Sequence, residues 1–172
     1  MKQLTHDELV SIIKQSTISS SLKRKLKIAT DAIEWRESNF ILIKEKSPSK
    51  GVLIYQDNNE YYVLRYQLSP LPVSPVTGKR SVIICDFCST WHGSGTSSSV
   101  TFDVSAIKDG TSLSFLCCRE LACNDNVRNK TNTAHLSRAH LRENLSDEER
   151  IERFINNLNK LLMPLASPIQ LN

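Results

Sequence analysis

The stretch Ile84-Cys85-Asp86-Phe87-Cys88 decides the fold of this chain, together with the later stretch Cys118-Arg119-Glu120-Leu121-Ala122-Cys123. A Cys-x-x-Cys turn brings two sulfur atoms to one metal ion, and structural Zn²⁺ prefers four tetrahedral ligands, thiolates among them. The two cysteine pairs are separated by a spacing typical of four-ligand zinc sites. The pattern therefore predicts one Zn²⁺ ion bound by Cys85, Cys88, Cys118 and Cys123.

The adjacent Cys117 leaves the identity of the third ligand open, because neighbouring cysteines seldom bind the same ion. In a strand over residues 112–118, Cys118 and Leu116 would share one face, while Leu113 and Cys117 would point toward a core. This alternation favours Cys118 as the ligand. All five thiols could instead be buried apolar groups, since free cysteine is among the most buried residue types.

Two histidines offer a competing set of ligands. His135 and His140 follow the second cysteine pair, in an order that resembles a two-cysteine two-histidine finger. The spacing is one residue shorter than the usual spacing of roughly twelve, and Thr133 stands where such a finger has a core leucine. The first cysteine pair would also have no role. We therefore expect His135 and His140 to be partly exposed, and we expect no partner for His92, which we place in a loop.

Composition narrows the class of protein. With 172 residues, of which 40% are apolar, the chain can form one domain or two small ones. No apolar run approaches the roughly 18 residues needed to cross a bilayer, and the stretch Met1–Glu8 is unlike a signal peptide. Five cysteines without an export signal favour metal binding over disulfides. We expect a cytoplasmic monomer without membrane contact. Its net charge of +4 permits an acidic or RNA partner and requires neither.

The first half of the chain predicts a short helix followed by an antiparallel β-meander. Thr5 and Glu8 form a capping box in front of apolar residues at helical spacing. A second helical piece is predicted to carry the basic run Lys23–Lys27, which is a candidate for phosphate contact or simply a solvated face. Three β-branched and aromatic runs follow, and an asparagine turn joins the last two. The runs lie at 40–43, 51–55 and 61–66.

The second half predicts a treble clef. Prolines at 70, 72 and 75 indicate a stiff, extended connection, so we place a domain boundary between residues 79 and 80. A strand at 81–84 leads into the knuckle, a polar loop covers 91–99, and strands near 100–104 and 113–118 precede a helix. The Asp109-Gly110 pair is read as the turn between these two strands. A capping box at Ser146 begins an amphipathic C-terminal helix.

The predicted fold class is therefore α+β. Residues 1–79 form a helix and a meander, and residues 80–172 form a zinc-binding treble clef with the C-terminal helix. A closed four-ligand site, with neither a glycine-rich phosphate loop nor a Gly-x-Ser-x-Gly elbow, indicates a binding protein rather than an enzyme. An enzyme would need a three-ligand zinc with a bound water. An RNA-binding module is the other alternative. It would use the basic run and the residues Arg119, Arg128, Lys130, Arg138 and Arg142.

These residues resemble a known family, the bacterial elongation factor G-binding proteins with a C-terminal treble-clef zinc finger, which include the fusidic acid resistance proteins. The resemblance covers about residues 80–164 and rests on the two cysteine stretches and on Val127-Arg128 with Lys130. It implies a protein that binds elongation factor G and helps it to leave the ribosome. Asn126 stands where an aromatic residue is usual, and Asn129 replaces a glycine.

The expected partner surface combines the knuckle tip with the end of the following helix. We predict that Asp86, Phe87, Arg128 and Lys130 contact the partner, because the same metal would hold both segments. Knuckle tips have little protein above them, so we expect Phe87 to be exposed and to act as an aromatic anchor.

Overall fold

The computed structural model describes the whole chain except residues 27, 29, 31, 32, 34, 105–110 and 172 and the side chain of residue 36. The chain divides into two compact units. The meander unit comprises Met1–Gln67, Phe102–Leu113 and Leu161–Asn172. The thiol unit comprises Leu68–Thr101 and Ser114–Lys160. These bounds differ from the single boundary predicted between residues 79 and 80, because two later segments belong to the meander unit.

In the described chain, helices come first, a series of strands follows, and further helices precede a last short strand. The helices are α1 (His6–Gln15), α2 (Ser20–Lys23), α3 (Cys123–Val127), α4 (Asn132–Leu141) and α5 (Asp147–Leu162). The strands are β1 (Phe40–Lys44), β2 (Lys50–Asp57), β3 (Glu60–Pro70), β4 (Ile83–Ile84), β5 (Trp91–His92), β6 (Ser97–Asp103), β7 (Ser112–Cys118) and β8 (Ile169–Gln170). Short 3₁₀ turns cover Trp35–Glu37, Arg119–Leu121 and Met163–Leu165. The predicted α+β class is confirmed.

Helix α1 begins at the predicted capping box. The Glu8 N–H donates to Thr5 Oγ1 at 3.2 Å, and the Thr5 N–H donates to Glu8 Oε2 at 2.7 Å. Two of the otherwise unpaired N–H groups of the first turn are thereby satisfied. The helix buries Leu9, Ile12 and Ile13, which recur at helical spacing on one face.

The predicted meander is present as three antiparallel strands. β1 pairs with β2, and β2 pairs with β3 through the register Asp57↔Glu60. The two-residue loop between them consists of Asn58 and Asn59, with φ values of 44° and 67°. Two consecutive positive φ values match the twist of a hairpin, and asparagine tolerates them better than most residues. In sheet order the strands run β1, β2, β3, β6 and β7, while β8 pairs with β3.

The meander unit has an apolar core that needs no metal. Helix α1 covers one face of β1, β2 and β3, where residues at alternate positions point toward it. The buried members of this cluster are Leu4, Leu9, Ile12, Ile13, Leu22, Trp35, Ile41, Ile43, Val52, Ile54, Tyr61, Val63 and Ile169. At about 25 cal/mol per Å² of buried apolar area, a cluster of this size is the principal stabilising contribution in the unit.

The second predicted helix is shorter than expected. Helix α2 ends at Lys23, so Leu26 and Ile33 do not extend it, and part of the predicted segment, including Lys27, lies outside the described residues. The ammonium group of Lys23 donates to the carbonyl oxygens of Lys14 and Ser16 at 2.7 and 2.8 Å. Lysine at this position neutralises the negative end of the α1 dipole.

In the thiol unit, the connection after β3 folds back on itself instead of running extended. Val73 forms an isolated bridge with Arg80, and the Ser74 N–H donates to the Lys79 carbonyl at 2.9 Å. The loop predicted at 91–99 contains β5 and the start of β6, and β4 pairs with β5. The predicted Asp109-Gly110 turn lies outside the described residues.

Trp91 of β5 makes two contacts that fix helix α4. The Trp91 N–H donates to Ser137 Oγ at 2.8 Å, and the Trp91 ring stacks on His140 with the ring centroids 4.0 Å apart. Helix α5 begins at the predicted capping box, in which the Glu149 N–H donates to Ser146 Oγ and the Ser146 N–H donates to Glu149 Oε2. In the described part of the chain, no helix is long and apolar enough to span a membrane.

Candidate metal centre

The knuckle that carries the first two thiols is a tight turn held by backbone hydrogen bonds. The Ser89 N–H donates to the Cys85 carbonyl, and the Cys85 N–H donates to the Thr90 carbonyl, each at 2.9 Å. Ser89 closes the turn with φ of 57°, in the left-handed region. Cys85 and Cys88 are consequently turned inward, and each is only 1% exposed.

The second pair of thiols comes from a strand end and a helix start. Cys118 is the last residue of β7, and Cys123 is the first residue of α3. Between them, Glu120 and Leu121 have φ values of 55° and 58°, which reverse the chain within a few residues. Both thiols are fully buried. Of this pair, Cys123 is supplied by an α-helix, and the 3₁₀ turn Arg119–Leu121 lies between the two thiols.

The four thiols form one cluster. All four Sγ atoms lie within 4.8 Å of one another, with 3.7 Å between Cys85 and Cys123 and 3.2 Å between Cys88 and Cys118. Four thiolates bound tetrahedrally at about 2.3 Å have their sulfur atoms about 3.8 Å apart. The arrangement therefore fits Zn²⁺ closely, and four sulfur ligands suit zinc better than magnesium or calcium.

Cys117 does not belong to the cluster. Its thiol donates to the Ser98 carbonyl at 3.4 Å, and burial raises its pKa, so it stays a neutral core group. Of the two neighbours it is Cys118 that joins the other three thiols, as the alternation along β7 favours. The same alternation was wrong for Leu113, which was expected to face a core and is 42% exposed.

The thiols are strongly coupled to one another. Burial raises the pKa of Cys118 and that of Cys123 well above the usual value. Burial also opposes ionisation of Cys88, but hydrogen bonds from the neighbouring thiols, Cys118 first, lower its pKa well below that value. One negative charge is thus readily held within the cluster, whereas four thiolates require a cation, which is the role that a bound Zn²⁺ ion has.

Two polar side chains that the sequence did not single out as functional contact the Cys118 sulfur. His92 is 2% exposed and places Nε2 3.2 Å from Cys118 Sγ, and Asn126 is equally buried and donates from Nδ2 at 3.0 Å. The expectation that His92 has no partner was wrong, because β5 pairs with β4 and carries the ring inward. Its position four residues after Cys88 is the signal that could have identified it. Burial lowers the pKa of His92.

A buried arginine lies behind Asn126. Arg150 is fully buried, and its guanidinium donates to the Asn126 carbonyl at 3.1 Å and to Asn129 Oδ1 at 2.6 Å. Glu143 pairs with it at 3.2 Å and with Arg153 at 2.5 Å. The sequence could have indicated this burial, since Arg150 lies four residues before Phe154 on the apolar stripe of α5.

The proposed aromatic anchor is not exposed. Phe87 is 1% exposed, and its ring lies against Phe115 with the centroids 5.6 Å apart. The expectation failed because Asn157 Nδ2 donates to the Phe87 carbonyl at 2.8 Å, so that α5 covers this part of the knuckle. Asp86 and Lys130 are exposed, while Arg128 is half-buried and donates to the Asn124 carbonyl at 2.9 Å.

The competing histidine set does not form a metal site. His135 and His140 are exposed on α4, as expected, and neither belongs to the thiol cluster found in the described residues. Arg138, one of the basic residues considered for RNA contact, pairs with Asp147 at 3.0 Å. Its charge is thereby partly neutralised.

A cavity of about 170 Å³ lies in the meander unit. It is bordered by Thr17, Ser19 and the pair Arg65 and Asp103, whose charged atoms are 3.7 Å apart. None of the cysteines lines it, so the metal chemistry of the chain belongs to the thiol unit.

Comparison with protein families identifies a family for this chain. The model of the FBP C-terminal treble-clef zinc-finger family matches residues 13–165, which include both cysteine pairs. No curated protein and no solved structure matches the chain.

Proposed function

We propose that this chain, which belongs to the FBP C-terminal treble-clef zinc-finger family, is a zinc-stabilised cytoplasmic protein that binds elongation factor G and promotes its release from the ribosome. The observation that carries the proposal is the cluster of four buried thiols on a knuckle, a strand end and a helix start. With Cys85, Cys88, Cys118 and Cys123 as ligands, no coordination position is left for water or substrate. Such a zinc ion stabilises a surface and leaves recognition to the residues around it.

Metal content of serine variants tests the ligand set. The purified parent should contain about one zinc ion per chain, and Cys118→Ser should lose it, because three thiolates and a hydroxyl bind zinc far more weakly than four thiolates. Cys117→Ser is the matched control, since it makes the same change at the adjacent buried position and should retain the metal. Full retention in Cys118→Ser with loss in Cys117→Ser would reverse the assignment.

The partner surface is proposed to centre on exposed apolar side chains beside the knuckle tip. Ile84 is 50% exposed and Leu116 is 38% exposed. Asp86 follows Ile84 by two residues and is bonded to Leu116: its N–H donates to the Leu116 carbonyl at 2.9 Å, and its carboxylate accepts from the Leu116 N–H at 2.7 Å. We call Ile84, Asp86 and Leu116 the knuckle-tip surface. Exposed apolar side chains bordered by polar groups are a common feature of protein interaction sites.

The end of helix α3 is proposed to extend this contact. Arg128 follows α3, which begins at Cys123, and its hydrogen bond to Asn124 fixes its side chain against that helix. Lys130 is exposed two residues later. Phe87 is no longer proposed as a contact, because its ring is buried.

Binding of elongation factor G by the zinc-loaded chain tests the partner. Ile84→Ser and Leu116→Ser should each weaken binding tenfold or more, which corresponds to about 1.4 kcal/mol. Val76→Ser, a similar change at an exposed apolar residue of the same unit, should leave the affinity unchanged. No binding by the parent would refute the partner. Unchanged binding by both variants, with zinc and thermal stability retained, would refute the surface.

The salt dependence of the binding affinity distinguishes this proposal from RNA binding. An RNA-binding module that neutralises several phosphates would lose affinity steeply as salt is raised, because counterions are released. The chain offers fewer unengaged cations than its sequence suggests, since Lys23 and Arg138 are bonded within the protein. We expect the chain to bind RNA weakly at physiological salt. We also expect its affinity for elongation factor G to fall only slightly as the salt concentration is raised.

A further inference from the structure

We propose that Asn126 is a positioning residue for the metal: it donates a hydrogen bond to the Cys118 thiolate and slows the release of zinc. The inference rests on the proposed ligation by Cys118. Four thiolates and one Zn²⁺ ion together carry two negative charges, and in this chain all four sulfur atoms are buried. Water cannot solvate that charge, so N–H and O–H dipoles of the protein must stabilise it.

The orientation of the Asn126 side chain is fixed at both ends of its amide. Nδ2 lies 3.0 Å from Cys118 Sγ, and Oδ1 accepts a hydrogen bond from Thr131 Oγ1 at 2.5 Å. A metal-bound thiolate only accepts hydrogen bonds, so the NH₂ group faces the sulfur atom, and the Thr131 hydroxyl donates to the amide oxygen. The amide is therefore held in the orientation that donates to the thiolate.

The backbone of Asn126 is fixed by the buried arginine. Arg150 Nη2 donates to the Asn126 carbonyl at 3.1 Å, and its Nη1 donates to Asn129, which takes the left-handed conformation with φ of 54°. Glu143 is shared by two arginines, Arg150 and Arg153, so these three groups together keep one positive charge. A fixed cation behind the donor favours negative charge on the thiolate that it faces.

Two other polar side chains of the described residues lie near the cluster, and both are farther from a sulfur atom than Asn126 is. His92 Nε2 lies 3.2 Å from the same Cys118 sulfur, and Thr90 Oγ1 lies 3.2 Å from Cys88 Sγ. Of the contacts that nitrogen atoms of Asn126 and His92 make with Cys118, the one from Asn126 is the shorter. Loss of a partner of this kind typically costs about 10- to 100-fold in metal affinity.

The test compares zinc release and metal spectra of Asn126→Leu with those of Asn132→Leu. Leucine keeps the branched shape of asparagine and removes the donor, and residue 132 is exposed on α4. We expect Asn126→Leu to release zinc to a chelator at least tenfold faster than the parent. With Co²⁺ in place of zinc, its sulfur-to-cobalt charge-transfer bands should move to lower energy, because a thiolate without a hydrogen bond gives up electrons more easily. Asn132→Leu should match the parent in both measurements.

A second pair of variants decides the matter if Asn126→Leu does not fold. Thr131→Val removes the hydroxyl that orients the amide, and Thr131→Ser keeps it together with the helix cap that this residue provides to Ala134. The valine variant should release zinc faster than the serine variant and show the same direction of band shift. Equal release rates and band positions within the folded pair would overturn the inference while leaving zinc binding intact. A parent that binds neither zinc nor cobalt would overturn both the inference and the proposed ligation.

Discussion

The meander unit and the thiol unit are stabilised by different kinds of interaction. The meander unit buries a continuous apolar cluster between α1 and three strands, whose members are almost all aliphatic or aromatic. The thiol unit instead buries a cluster of four thiols, a histidine, an asparagine and an arginine. Apolar burial is present whenever the chain is folded, whereas buried thiolates and charges stabilise only when their partners are present. The first unit should therefore be indifferent to metal, and the second should depend on it.

Zinc removal should produce the largest difference between the two units. Binding of structural zinc contributes on the order of 10 kcal/mol to the folding of the elements that it joins. Chelation should accordingly raise amide hydrogen exchange first at residues 83–101 and 114–128, while α1 and the strands β1 and β2 keep their protection. Mass spectrometry of exchanged peptides measures this order. Equal loss of protection along the whole chain would show that the two units do not differ in this way.

The buried ion pair of the thiol unit should give the next largest effect. Glu143→Gln leaves the guanidinium of Arg150 in the interior without its acidic partner, and breaking a buried pair in this way costs about 3 kcal/mol or more. Denaturant unfolding of the zinc-loaded protein measures the loss. Glu152→Gln is the matched control, because Glu152 is exposed on α5 and should change stability by no more than about 0.5 kcal/mol. A similar small effect for both variants would mean that the acceptors on Asn126 and Asn129 are enough to stabilise the arginine.

The sequence predicted those features that depend on neighbouring residues. The capping boxes at Thr5 and Ser146, the asparagine hairpin and the Cys85 knuckle were all confirmed, since each is a contact made within a few residues. The treble clef was predicted from the order of the knuckle, the two strands after it and the helix. Each of these contacts is determined by residues that are close in the sequence, so it does not depend on the distant parts of the chain.

The features that the sequence missed depend on segments that meet only in the folded chain. Phe87 occupies a turn tip, but α5, from seventy residues later, covers it through Asn157. His92 became a neighbour of Cys118 because β5 pairs with the predicted strand β4, whereas β5 itself is only two residues long and was predicted as part of a loop. The burial of Arg150 was not predicted because arginine is charged, although its spacing from Phe154 placed it on the buried stripe of α5.

The meander unit should respond to a different variable, alkaline pH, and this effect should be the smallest. Tyr66 is buried on β3, and its hydroxyl has no hydrogen-bond partner among the described residues. Burial, and to a lesser extent the charge of Glu45, raises its pKa to about 12. Close packing leaves no room for relaxation, because a Cβ atom on the opposite residue Gly51 would lie 3.0 Å from this hydroxyl.

The direction of the pH effect follows from the raised pKa. An unfolded tyrosine loses its proton near pH 10, whereas the folded chain keeps the Tyr66 proton until about pH 12. Between these values the unfolded state binds fewer protons, so stability falls as the pH rises. Tyr66→Phe should reduce this loss and should change stability little at pH 7, where the tyrosine is neutral in both states. Denaturant unfolding at pH 7 and pH 11 measures both effects, and an unchanged alkaline loss in Tyr66→Phe would assign the sensitivity to the other tyrosines of the unit.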